Sequence, residues 1–583
     1  MATHSGSLCY QMLETGDIRI LRILPRTGSC LECELDHVAL SQAPDYLAIS
    51  YAWGDADERT TIIVDGHKFD INTSLYDVLS MLQSESDGEI VTLWADAICI
   101  NQSNIAERSS QVAIMADIYR QAKYTAAWLG PATQSDYMAI ELVQHLVKVK
   151  NSEPDFKESM RSPSWHEHFV ALASLFNKEY WRRMWILQEV HSGQFVRIYY
   201  GTRWLPWENY RDVSRAFRRH DLDVRGTFMR EGLEGTGEYI SWVLCYNGPN
   251  TLDLEEEEEL LGFLAWCQPK RCADPKDKLY ALLGVLPEAI RRHFKPDYTI
   301  SVKKLYMDIF EYILRSTRRL DVLCYATIIG MTTENPHFLP SWIPDWSREL
   351  QVDVVMDICD CAASSEPADF TISSGASNTS LRGWQMKVKA VFLGRIAQVG
   401  LHVPDFHTGD DISMAFLSWR ALVKQLGRSD EREVLCRTIT MGTVDDLTSQ
   451  ELTDICFHVF VQRLQFTLPS ITLDDELKAY SQTRLGASEE ELSAFWSKYI
   501  ERTCEMRRLF VSEEGQVGLG PPNIGYGDLI CVPLGCRAPI ILRPYSDGSY
   551  KFVSDAYVDG YMYGKADAEW KGGSKKLQSY ILR

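Results

Sequence analysis

Residues 46–55 read YLAISYAWGD. Tyr46 to Ile49 form an apolar run of strand length, and it gives way to the polar or small residues Ser50, Gly54 and Asp55 with the rings of Tyr51 and Trp53 between them. A buried strand that ends in such a turn is the usual floor of a ligand site in an open α/β sheet, because ligands sit beyond the carboxyl ends of the strands. The flanking segments continue the pattern. IRILRIL (18–24), IVTLWADAICI (90–100), YTAAWLG (124–130) and QFVRIYYG (194–201) have strand length and apolar content. TIIVDGHKFDI predicts a hairpin turning at Asp65-Gly66. NTSLYDVLSMLQS and AERSSQVAIMADIYRQA predict helices, the first with Leu75, Val78, Leu79 and Leu82 on one face, the second with Val112, Met115, Ile118 and Tyr119. Strand and helix alternate with short links, which predicts a mostly parallel sheet over residues 1–210.

The rest of the chain predicts a mainly helical region over 211–378 and a C-terminal α+β region over 379–583 that ends in short β-strands. TLDLEEEEELLGFLAWCQ reads as a helix with an acidic first turn. HFLPSWIPDWS reads as an ordered loop packed over the core.

Composition narrows the function. The 583 residues carry a formal charge of −20, which argues against a nucleic-acid surface and an anionic membrane. No apolar run reaches membrane-spanning length, and the first residues lack a signal-peptide pattern. The 15 scattered cysteines predict reduced thiols and a cytoplasmic protein. CLEC at Cys30–Cys33 is a lone CxxC, and HEH at 166–168 lacks the spacing that sets two histidines on one helix face, so no metal site is predicted.

Two further places hold candidate chemistry. In LWADAICINQ, Asp96 interrupts an apolar strand and Asn101 and Gln102 open the loop beyond it; Asp96 either serves a site or caps a neighbouring loop or helix. In YWRRMWILQEV (180–190), a continuous helix puts Trp181, Met184, Trp185 and Gln188 on one face and Glu189 at its edge, with Gly193 where an i+4 cation would stand. Periodicity alone favours a solvent-facing Glu189 beside buried rings.

YLAISYAWGD, the block from Leu93 to Gly130 and YWRRMWILQEV together resemble, in order and spacing, the heterokaryon incompatibility (HET) domain of filamentous fungi. CADPKDKLYALLGV, LPSWIPDWS and the stretch 527–566 resemble the extended form of these proteins, with Ala95 and Lys565 as small departures from the family pattern. The resemblance implies a flavodoxin-like or Toll/interleukin-1 receptor (TIR)-like core and a role in fungal non-self recognition and programmed cell death. Through the remote TIR likeness it also implies NAD+ cleavage at the nicotinamide–ribose bond, with Glu189 as catalytic carboxylate and Trp185 as the ring of the WILQE element. Ser50, Tyr51, Trp53, Gly54, Asp55, Asp96, Asn101, Gln102, Arg182 and Trp185 are then the candidate ligand-binding residues. Tyr51 or Trp53 would stack on nicotinamide, and Arg182 or Arg59 would meet the pyrophosphate. NAD+ enters as a substrate; no cofactor is required. The implied partners are NAD+ or another small molecule and either a second copy or a partner protein. Two other readings stay open: a non-catalytic signalling module that dimerises, and a HET-like protein working in specialised metabolism.

Overall fold

A computed structural model describes residues 10–583 apart from 27, 29, 55–57, 221–223, 225–239, 241–242, 250–258, 328–334, 374–383, 405–408 and 483–485. The chain forms two compact units, Met1–Ser301 and Val302–Arg583.

The first unit is built on a nine-stranded sheet. Its strands are β1 (Asp17–Ile23), β2 (Glu32–Ala39), β3 (Leu47–Tyr51), β4 (Arg59–Val64), β5 (His67–Asn72), β6 (Val91–Trp94), β7 (Tyr124–Trp128), β8 (Val196–Tyr200) and β9 (Arg203–Pro206). They lie in the order β5-β4-β2-β1-β6-β3-β7-β8-β9. The centre, β6-β3-β7-β8, is parallel. The expected mostly parallel sheet holds only there. Toward both edges the chain returns by hairpins, so β4–β5, β1–β2 and β8–β9 are antiparallel, as is β1–β6, and of these outer pairings only β2–β4 is parallel. The β4–β5 turn falls at Asp65 (φ 50°) and Gly66 (φ 74°), the two left-handed residues that a tight hairpin of this twist requires.

The helices of this unit include α1 (Thr73–Glu85), α2 (Asp96–Cys99), α3 (Ile105–Gln121), α4 (Gln134–Val149), α5 (Glu153–Arg161), α6 (His166–Phe176), α7 (Ile186–Ser192) and α8 (Trp207–Arg219), of which α7 packs on β7 and α8 on β8. The predicted faces of α1 and α3 are the buried ones. Asn104 caps α3, its side-chain oxygen accepting from the Ala106 and Glu107 amides at 3.1 and 3.2 Å. Residues 90–100 do not continue as one strand. β6 stops at Trp94, and Asp96 opens α2 with its carboxylate on the Ala97 amide at 2.8 Å. Arg19 of β1 is fully buried and bonds both Glu107 oxygens, at 2.5 and 3.0 Å, and the Cys99 carbonyl at 3.0 Å. That ion pair ties the first strand to α3, and the bond to Cys99 ties it to the end of α2. The glutamate run at 255–259 falls mostly outside the described residues; its apolar sequel Leu260–Trp266 is helical.

The second unit combines helices, among them Val302–Thr317, Gly409–Lys424, Glu431–Ile439 and Ser449–Thr467, with nine further strands among the described residues. These are β10 (Phe370–Ser373), β11 (Gln385–His402), β12 (Arg508–Ser512), β13 (Val517–Gly520), β14 (Leu529–Pro533), β15 (Ile540–Pro544), β16 (Tyr550–Asp555), β17 (Tyr557–Val558) and β18 (Leu577–Leu582). β14-β15-β16-β18-β11 pair in sequence, and β11 pairs again with β14, which closes the ring into a small barrel. The barrel is filled by Val391, Leu393, Ile530, Val532, Ile541 and Val553. Between 339 and 347, the LPSWIPDWS loop buries Trp342 and Trp346, as its composition suggested. Among the described residues no helix is long and apolar enough to cross a membrane.

Candidate active site

The tryptophan-rich segment is not one helix. Glu179–Arg182 form a single 3-10 turn, Arg183 is extended (φ −70°, ψ 138°), and α7 starts at Ile186. The break is fixed from outside. Arg271 donates its amide to the Arg182 carbonyl at 2.6 Å, its carbonyl accepts from the Met184 amide at 2.8 Å, and Lys270 Nζ donates to the Trp181 carbonyl at 2.6 Å. These bonds take backbone groups that a continuous helix would have used itself.

The bend decides where Glu189 goes. α7 packs against β7 at Gly193, where an added Cβ would lie 2.6 Å from Thr125 Oγ1; only glycine permits that approach. Glu189 is 1% exposed, so the solvent-facing reading is wrong. Ser50, at the end of β3, donates its hydroxyl hydrogen to Glu189 Oε2. Ser50 Oγ also lies 2.8 Å from the Tyr180 hydroxyl; with its own hydrogen committed to the glutamate, Ser50 accepts and Tyr180 donates. Arg183 closes the set, its two terminal nitrogens 3.3 and 3.2 Å from the two Glu189 oxygens. The cation missing four residues on is supplied six residues back, across the bend.

Asp96 belongs to the same electrostatic neighbourhood. Burial raises the pKa of its carboxyl, and the Arg183 guanidinium, the Ala97 amide and hydrogen bonding from Trp53 oppose that. Burial likewise raises the Glu189 carboxyl, opposed first by Arg183 and then by Ser50. The Tyr51 hydroxyl is buried in the field of Asp96. One guanidinium therefore lies in the field of two carboxylates, the buried Glu189 and the half-buried Asp96.

The other candidates separate clearly. Trp53 and Gly54 are exposed beside this centre, Trp53 at 45%. Asp55 lies outside the described residues. Asn101 and Gln102 shape their own loop: the Asn101 amide donates to Glu107 at 2.7 Å, and Gln102 Nε2 to the Asp96 carbonyl at 2.9 Å. Arg182 turns away to Asn177 Oδ1 at 2.6 Å. Arg59 lies exposed on β4, 3.5 Å from the Asp70 carbonyl. Trp185 is anchored through its indole N–H to Asp277 at 3.2 Å, and Tyr298 donates to the same carboxylate at 2.6 Å. Tyr180 and Arg183 went unseen in the sequence because a straight helix sets Arg183 about 120° away from Glu189. No local signal marks the bend, since the groups that enforce it are some ninety positions downstream at Lys270 and Arg271.

The sheet that carries the buried carboxylate and the closed barrel of the second unit each fall in a segment similar to a known family, that of the heterokaryon incompatibility (HET) proteins. The heterokaryon incompatibility protein (HET) model matches residues 46–189, from the head of the β3 segment to the buried glutamate. The Het-6 beta-barrel domain model matches residues 469–571, which include β12 to β17; β11 and β18, which complete the ring, lie outside that match. The chain is 24% identical over 657 aligned positions, covering 94% of both chains, to heterokaryon incompatibility protein 6, OR allele, of Neurospora crassa. No solved structure matches it.

Proposed function

We propose that the first unit hydrolyses NAD+ at the nicotinamide–ribose bond in the service of fungal non-self recognition. The role in non-self recognition follows from the family. The chemistry rests on one observation, the contact between Ser50 and Glu189 at the carboxyl end of β3. The parallel strands run second–first–third–fourth across the sheet, the start of a flavodoxin-like order, and the ligand crevice of such a sheet lies at that point. As the C1′–N1 bond breaks, its electron pair stays with nicotinamide and positive charge grows on the ribose. A carboxylate fixed in a low-dielectric site stabilises that charge. Water adds to C1′ and gives its proton to Glu189. A single positioned group of this kind contributes ~3–4 kcal/mol. Incubation with NAD+ and measurement of nicotinamide, on monomer and on a forced oligomer, tests the reading: Glu189→Gln lowers the rate by about 10²–10³-fold. Equal rates in the two proteins refute it.

The near-complete burial of Glu189 favours a second reading, a non-catalytic signalling module in which the same cluster is a structural knot. That reading predicts unchanged cell-death activity in Glu189→Gln.

A further inference from the structure

The Arg183–Glu189 pair is asymmetric toward solvent. Its glutamate side chain is 2% exposed and its arginine side chain 15%. The guanidinium is the more accessible partner of the two. Two of that group's nitrogens bond Glu189, and its charge is shared with Asp96. While this pairing lasts, Glu189 is neutralised by a bidentate partner and has little field left for a developing cation. A diphosphate offers the same planar fork a stronger, doubly charged acceptor.

We infer that Arg183 is a latch which a ligand diphosphate opens: the guanidinium leaves Glu189 for the pyrophosphate oxygens, and the freed carboxylate then faces the ribose. The inference rests on the NAD+ reading for its ligand class, a dinucleotide with a pyrophosphate bridge. It assigns Arg183 as the residue that makes reactivity depend on that bridge. The backbone at Arg183 suits the role: it is extended between the 3-10 turn and α7, and the bonds from Arg271 to Arg182 and Met184 hold the main chain while the side chain changes partner.

A latch has an unusual signature. Removing the acid should improve binding of the diphosphate, because the arginine no longer has to leave an ionised partner. Calorimetric titration of the full chain with ADP-ribose, and separately with inorganic pyrophosphate, measures this. Glu189→Gln is expected to bind both roughly tenfold more tightly than the wild type, the scale of one charge-assisted hydrogen bond. The double variant Glu189→Gln, Arg183→Gln, which removes both charges of the pair, is expected to lose that gain. Circular dichroism confirms that each variant is folded. The latch is overturned if Glu189→Gln binds no tighter than the wild type, if the gain survives loss of Arg183, or if neither ligand binds Glu189→Gln. Nicotinamide release from NAD+ by the wild-type protein, measured in a separate incubation, distinguishes the two ideas. Tightening without cleavage keeps the latch and refutes the hydrolase; cleavage without tightening does the reverse.

Discussion

Ser50 on β3 donates its hydroxyl hydrogen to Glu189 on α7, 139 positions further along the chain. The strand that opens the parallel block and the helix that precedes its last member are thereby joined at a single buried polar contact.

Ser50→Ala removes that donor and also leaves the Tyr180 hydroxyl without its acceptor. The Tyr180 hydroxyl then lacks a partner while Glu189 keeps only Arg183, and the expected cost is about 1–3 kcal/mol. Urea unfolding followed by circular dichroism measures it. A midpoint equal to that of the wild type would show the contact to be dispensable.

Arg19 and Glu107 form a buried pair whose arginine also holds the Cys99 carbonyl. Arg19→Met leaves the buried Glu107 carboxyl without its cation, and breaking such a pair costs about 3–5 kcal/mol. The double variant Arg19→Met, Glu107→Leu should recover much of that loss. Denaturant titrations of both variants decide the point.

Lys270 is buried with its Nζ on the Trp181 carbonyl, and burial pulls its pKa down to about 7 from 10.5. A depressed ammonium means that the unfolded chain binds more protons than the folded one between these values. Stability should therefore rise as pH increases from 7 toward 10.5, and that contribution should be absent at and below pH 7. Comparing urea midpoints at pH 7 and pH 9.5 tests this: the wild type should gain more over that interval than Lys270→Met.

β18 is a wall of the barrel, pairing with β11 from Met386 to Val391. Truncation after Gly573 leaves two barrel strands with open edges. The expected result is loss of the second unit's cooperative thermal transition and a tendency to self-associate through the exposed edges. Calorimetry and light scattering read the two effects.

Much of the central sheet was legible in the sequence. The buried faces of α1 and α3 and the turn at Asp65-Gly66 follow from local period and turn chemistry alone. β2, with the sequence ECELDHVA, carries too many charges for an apolar run to mark it. Asp96 ends β6 because its carboxylate binds the next amide, an option that a count of apolar residues does not register. The site was half legible. Glu189, Ser50 and Asp96 stand in recognisable blocks. Arg183 and Tyr180 reach them only because Lys270 and Arg271 bend the intervening chain, and periodicity contains no information about a bend imposed from that distance.

The eighteen-residue β11 has a consequence for synthesis. It leaves the ribosome long before β14 and β18, the neighbours that satisfy its two sides. Because β18 occupies Leu577–Leu582, the barrel cannot seal until that strand has been made. Until then β11 presents unpaired amides and carbonyls to which chaperones, or other nascent chains, can bind.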